Sequence, residues 1–385
     1  MERKNAWAAY AGDDGKVEAF AKAYCDFINN GKTERECVAY GEKLAKAHGF
    51  EDLNAVVRSG RKLNAGARVY VNWMGKSFML FVLGEKPLEE GMNILGAHID
   101  SPRIDVKQNP LYEDTDLAYL DTHYYGGIKK YQWVAIPLAL HGVIVRKTGE
   151  KVIINIGEDE NDPVFCISDL LVHLAQEQMT KNAKEVVEGE ALNLIVGGRP
   201  LEGEEKDAVK ANVLKLLADK YGVEEEDFLS AELEIVPAGK ARDMGFDRSM
   251  ILAYGHDDRV CAYPSMMAVL DYEGTPEYTL CCIVTDKEEI GSVGATGMAS
   301  HYLENTVAEL YACTADYCEL AVRRCLRNSR MLSSDVSAGY DPNFASAFEK
   351  KNSAFLGRGI CFNKFTGSRG KSGSNDANPE FMASL

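Results

Sequence analysis

Between Tyr278 and Gly297 the sequence reads YTLCCIVTDKEEIGSVGATG. The Leu280–Val284 stretch is continuously apolar or Cys, as expected of a strand covered on both faces. Such a strand needs helices on either side of its sheet, which points to an α/β architecture. Asp286 and Lys287 break the run, and Glu288 and Glu289 follow at its end. Gly291, Gly294 and Gly297 then let the backbone turn sharply beside the carboxylates. Two adjacent glutamates there form either a solvated turn or a site in which one binds a metal and its neighbour acts as general base.

Length and charge narrow the setting. A chain of 385 residues is long for one domain, and two are expected. With 46% hydrophobic and 26% charged residues it has an ordinary globular composition. No apolar run approaches the roughly 20 residues needed to span a bilayer. The start, MERKNAWAAYAGDDGK, lacks the apolar core of a signal peptide, so a cytoplasmic location and no membrane partner are expected. A net charge of −16 without a Lys/Arg cluster argues against nucleic acid. Ten cysteines without a CxxC pair read as reduced core residues.

Periodicity predicts helices over 16–30 and 33–48, the second opened by the capping-box pattern Thr33-x-x-Glu36 and ended at Gly49. Ala67–Trp73 and Ser77–Leu83 form a hairpin pattern across Met74-Gly75-Lys76. Short β-like runs follow at Trp133–Leu140, Val143–Arg146, Lys151–Ile156 and Ala231–Pro237, with a helix at Lys206–Tyr221. The α/β alternation returns after 250, with helices near 258–272 and 307–327, and strands at 279–285 and Arg330–Ser334. The simplest organisation is an α/β domain split into 1–104 and 251–385 by a β-rich insertion at 105–250.

Four segments share one design: an apolar strand ending in a small residue, then a His or a carboxylate. They are LGAHIDSP, AYGHDDRVCAY, CIVTDKEEIGS and MLSSDVSAGYDPNF. In an open sheet such ends converge on one crevice, here bringing together His98, Asp258, Glu288, Glu289 and Asp335. Imidazole mixed with carboxylates suits zinc, manganese or cobalt, as in a two-metal hydrolase site. Asp100 has the spacing of a carboxylate that orients a metal-bound His98. Taken singly, His98 also fits a hydrogen-bonded core histidine, Asp257 and Asp258 a helix cap, and Asp335 a turn.

These motifs, with YYGGIKKYQWVAIPLALHG and ISDLLVHLAQEQ between them, resemble the aspartyl aminopeptidase/aminopeptidase I family of cocatalytic metallopeptidases over essentially the whole chain. The resemblance implies a mixed-sheet α/β/α catalytic domain with an inserted dimerisation domain, two divalent ions (zinc first, manganese or cobalt next) and peptide substrates. It also implies a homo-oligomer built from dimers, as large as a dodecamer. His98, Asp258 and Asp335 would hold one metal, Asp258 would bridge because it directly precedes Arg259, and Glu289 would hold the second metal. Glu288 would be the general base, supported by Asp100 behind His98.

The family pattern includes a further His near the C-terminus, whereas the last His of this sequence is His301. The expectation that follows is a C-terminally truncated member that holds one metal well and the second poorly, with impaired activity. Two alternatives stay open: a dinuclear-metal deacylase or amidohydrolase, and a non-catalytic assembly or peptide-binding homologue. His173 in DLLVHLAQ and Lys364 in FNKFTGSRGK are candidate substrate contacts, against an amphipathic-face His and a surface Lys.

Overall fold

A computed structural model describes residues 4–365 and 372–385. Residues 23–335 pack as one compact unit, and the described residues of 1–22 and 336–385 form a second.

The apolar run becomes the strand Thr279–Thr285, inside a six-stranded mixed sheet. Its alternate side chains feed two cores. Cys281 and Ile283 join Met79, Phe81 and Ile94 beneath the helices Leu53–Ser59, Tyr302–Thr314 and Glu319–Asn328. Cys282 and Val284 join Phe78, Leu80 and Val82 on the opposite face, under Glu34–Ala47 and His256–Leu270. Each fully buried Phe or Leu here contributes about 1.5–3 kcal/mol, and their number explains why the middle of this strand carries no charged residue. The result is the α/β/α sandwich expected from the run.

Register then does the positioning. Thr279–Thr285 runs antiparallel to Ser77–Val82 and parallel to Met92–His98, with Thr285 opposite His98. Arg330–Ser333 also runs parallel to Met92–His98, with Ser333 opposite Gly96, so Asp335 arrives level with His98. Three parallel strands therefore end at one edge, where sheets of this kind place their ligands.

Arg103–Asp114, Leu117–Tyr125, Leu138–Val145, Lys151–Ile156, Leu194–Gly197 and Ala231–Pro237 build a second six-stranded sheet, antiparallel throughout. The long hairpin at 103–125 goes beyond what the sequence pattern predicts: Pro110 and many charges mask it, and its register shifts between Val106 and Leu111. Its alternation survives on one strand, where Ala118, Leu120 and Thr122 are buried. Two predicted runs, 133–140 and 143–146, merge into Leu138–Val145, because Ala135 at φ 58° and Pro137 keep the first residues out of the ladder. The helix expected over 307–327 is two, broken at Ala315 in extended conformation. Lys62 Nζ donates to the carbonyls of Ala312 and Ala315 at 2.7 and 2.9 Å, which caps the first helix.

Thr33 and Glu36 form the anticipated capping box. Glu36 also meets buried His141 Nδ1 at 2.8 Å, while His141 Nε2 lies 3.3 Å from Glu158. Burial opposes charge on this imidazole, but the two carboxylates win and raise its pKa. A raised histidine stabilises the fold fully below the unfolded-chain pKa and loses that contribution as pH rises through the folded value. A His141→Gln variant should therefore lose more stability at pH 6 than at pH 9. The difference should be on the order of 1 kcal/mol, read from urea unfolding at both pH values.

In the second unit, Asn5 caps the short helix Ala6–Ala9, whose Ala6 N–H donates to the Gly357 carbonyl. Tyr340 packs there against Phe348 and Phe355. No described helix is long and apolar enough to cross a membrane.

Candidate metal centre

His98 is the last residue of its strand and is buried. Its Nδ1 lies 3.0 Å from the Asp100 backbone carbonyl and 3.3 Å from Asp100 Oδ1. With the proton on Nδ1, the Nε2 lone pair faces Asp257 Oδ1 at 3.4 Å, Glu288 Oε2 at 3.8 Å and Asp335 Oδ1 at 3.9 Å. Asp100, fully buried, accepts the Glu288 and Glu289 backbone N–H groups at 3.2 Å each and the Tyr125 hydroxyl at 2.7 Å. One carboxylate thus fixes the imidazole and the glutamate turn together. The turn is a short 3-10 segment, Glu288–Ile290, entered through Lys287 at φ 71° and left through Gly291 at φ 93°.

Asp257 and Asp258 sit in the first turn of His256–Leu270, where both have non-helical dihedrals and the peptide between them is cis. Asp258 is fully buried, and its Oδ2 accepts the His98 backbone N–H at 3.4 Å. The family resemblance favours Asp258 over Asp257, yet the Asp257 carboxylate reaches the far side of the cluster, beside Glu289. Two sets of ligand atoms lie within 4.8 Å of one another: His98, Asp258 and Asp335, and His98, Asp257 and Glu289. Glu288 belongs to neither set. His173 lies in an exposed turn and is not among the residues brought to the cluster. Lys364 belongs to the second unit, its ammonium 5.7 Å from the Phe365 ring centre.

The electrostatics call for a cation. Burial pushes Asp258 up to about 6, and burial with the Asp257 charge pushes Glu289 up to about 7. Glu288 is raised as well, mainly by burial. His98 goes up to about 11: burial opposes the charged form, but hydrogen bonds to Asp100 and Asp257 overcome it. Burial raises the carboxylates and the carboxylates raise the imidazole, as in a buried acidic pocket that is short of positive charge. Asp258 Oδ1 is also buried without a hydrogen-bond donor, and Asp257 Oδ1 is buried with the His98 ring nitrogen 3.4 Å away. A divalent ion on these oxygens meets each demand, and the donor set suits zinc.

A third carboxylate group, Glu34, Glu232 and Glu234, is as tightly gathered. Lys76, Arg103 and Arg35 already neutralise it, so it offers no comparable pull on a metal.

Comparison with known proteins identifies the same chemistry. Residues 27–383 match the family described as aminopeptidase I zinc metalloprotease (M18). A relative from Clostridium acetobutylicum, named probable M18 family aminopeptidase 1, is 58% identical over 388 residues, covering all of this chain and 83% of the relative. A Thermotoga maritima relative of the same name is 44% identical over 384 residues, with the same coverage. Among solved structures, the M18-family aminopeptidase of Thermotoga maritima superposes with a TM-score of 0.92 at 42% identity, and aminopeptidase I of Clostridium acetobutylicum with 0.89 at 55%. Each match covers all of this chain and 83% of the solved one. They support neither the deacylase nor the non-catalytic alternative. By sequence and by fold, the chain belongs to the aminopeptidase I zinc metalloprotease (M18) family.

Proposed function

We propose that this chain hydrolyses the N-terminal peptide bond of peptides at the cluster around His98, using two divalent ions, zinc before manganese or cobalt. The observation that carries the reading is the pair of ligand sets that share His98, with Glu288 next to His98 but in neither set. His98, Asp258 and Asp335 would hold one ion, and Asp257 with Glu289 the other. Asp257 and Asp258 each gather with His98 in one set, Asp257 beside Glu289 and the fully buried Asp258 beside Asp335, so the two adjacent carboxylates together span both ion positions. When bound, the ions supply Lewis acidity to the scissile carbonyl and make water easier to deprotonate.

The remaining steps belong to the protein. Glu288 takes the proton of the attacking water and returns it to the leaving amine. Burial raises its pKa toward the working range, which makes both transfers feasible. Asp100 holds the His98 tautomer and orientation, and through two backbone N–H groups it sets where Glu288 and Glu289 point.

The β-rich segment 105–250 is proposed as the dimerisation region of a homo-oligomer. Leu170, Leu171, Val172 and Leu174 are 51–73% exposed there, an apolar patch that supports a protein interface. One experiment tests the whole reading. Metal-stripped protein is reloaded with Zn²⁺, Mn²⁺ or Co²⁺ and offered acidic and neutral aminoacyl chromogenic substrates, each with an N-acetylated control, while its sedimentation is measured. Metal-dependent cleavage that requires the free amine, from an oligomer, is the expected result. Cleavage of only the acetylated compounds, no cleavage with any metal, or sedimentation as a monomer would count against the corresponding part.

A further inference from the structure

We propose that Tyr125 is a positioning residue for this centre, acting through Asp100 although it belongs to the second sheet. The inference rests on the metal-centre reading above, and it adds a contact that the four strand-end motifs do not contain. Tyr125 closes the strand Leu117–Tyr125 and is buried. Its hydroxyl donates to Asp100 Oδ2 at 2.7 Å, the shortest of the contacts to that carboxylate.

Asp100 is saturated. Oδ1 faces His98 Nδ1 and the Glu288 N–H, and Oδ2 faces the Glu289 N–H and the Tyr125 hydroxyl. Each oxygen therefore has two partners, which prevents the carboxylate from rotating about its own axis. Without the phenol, Oδ2 keeps a single backbone donor at 3.2 Å. The plane that aligns His98 and the glutamate turn is then free to tilt.

The tyrosine is itself held. The Arg103 guanidinium lies 3.9 Å from its ring centre, and Arg103 is in turn gripped by Asp105, Glu234 and Glu34. Lys287, just before the two glutamates, places its ammonium 5.4 Å from the same ring. The next residue continues the arrangement. Gly126, at φ 71°, packs so closely that a Cβ there would lie 3.2 Å from Glu289 Cβ. Tyr125 and Gly126 thus brace the acid behind the imidazole and the side chain of one candidate ligand. Burial and the neighbouring Asp100 charge push the phenol well above its ordinary pKa, so it remains a donor.

The test compares Tyr125→Phe with Tyr124→Phe, an exposed neighbour, by competing each metal-free protein for Zn²⁺ against a chromogenic chelator. Tyr125→Phe should bind zinc about 10–100-fold more weakly. Tyr124→Phe should stay within about twofold of the parent, and in an Asp100→Asn background Tyr125→Phe should add less than about twofold. Removing one hydroxyl from an otherwise unchanged ring should leave the metal-free protein folded, with its unfolding midpoint moved by a few degrees at most, about what one lost hydrogen bond does. At saturating metal, kcat should fall while KM holds. Zinc affinity of Tyr125→Phe within about twofold of the parent, or an undiminished loss in the Asp100→Asn background, would overturn the proposal. If the parent protein binds zinc but cleaves no aminoacyl substrate, the aminopeptidase reading fails, and the zinc affinities still decide the role of Tyr125.

Discussion

Replacing Glu288 by Gln is expected to lower kcat by about 10²–10⁴-fold while leaving the bound metal in place. The amide keeps the size and most contacts of the acid but cannot accept a proton. Glu288 stands outside both ligand sets, and its side chain is 46% exposed, so little else should change. Its backbone N–H to Asp100 survives the substitution, which keeps the turn in place. Glu289→Gln makes the contrast. That residue lies in a ligand set, so its loss should appear first as released metal and only then as lost turnover. Turnover of an aminoacyl chromogenic substrate, with metal content by elemental analysis on the same samples, separates the two. A Glu288→Gln variant that keeps more than about a tenth of the parent kcat, or that loses metal as readily as Glu289→Gln, removes Glu288 from the role of base.

The meeting of these two glutamates with His98 and Asp335 was legible in sequence because a strand end leaves few choices, whereas the roles proposed for each glutamate rest on the family resemblance. An apolar run fixes where the strand is, its parallel neighbours fix which edge the ends share, and the register then brings Asp335 level with His98. What stayed hidden depended on dihedral angles and long-range pairing. Asp257 and Asp258 are chemically identical neighbours, and only the non-helical backbone at both residues decides which carboxylate turns toward Glu289. Tyr125 was hidden for a different reason. Its strand alternates buried residues with a mixture of apolar, aromatic and polar ones, a weak signal beside Leu280–Val284, and its partner Asp100 lies 25 residues away in the chain. Glu34 and Glu234 read as ordinary charged residues on a helix and a strand, yet both are buried. A sequence states that a residue carries charge, but the fold decides whether water sees it.

Those buried charges carry the largest expected stability effect. Arg103, 2% exposed, lies 3.4 Å from Glu34, 3.1 Å from Glu234 and 2.7 Å from Asp105, while Lys76 lies 3.1 Å from Glu34 and 3.6 Å from Asp286. An Arg103→Met variant should be about 3–5 kcal/mol less stable, because it leaves carboxylates in the interior without their countercharge. Glu234→Gln should cost far less, about 1 kcal/mol, roughly one hydrogen bond. The asymmetry follows from how the protons divide. Burial disfavours charge on both glutamates, but Arg103 and Lys76 hold Glu34 below the ordinary carboxylate range. At Glu234, burial and the Glu34 charge outweigh Arg103 and raise the pKa well above that range. Above the ordinary carboxylate range the unfolded chain releases the Glu234 proton while the folded protein keeps it, so this residue lowers stability as pH rises toward its folded pKa. Glutamine has no proton to release. The gap between parent and Glu234→Gln should therefore narrow and reverse between about pH 5 and pH 9, read from urea midpoints, while Arg103→Met stays the less stable throughout. A Glu234→Gln cost that equals that of Arg103→Met and does not change with pH would mean that Glu234 is ionised beside Arg103, and the two glutamates would then share the cation equally.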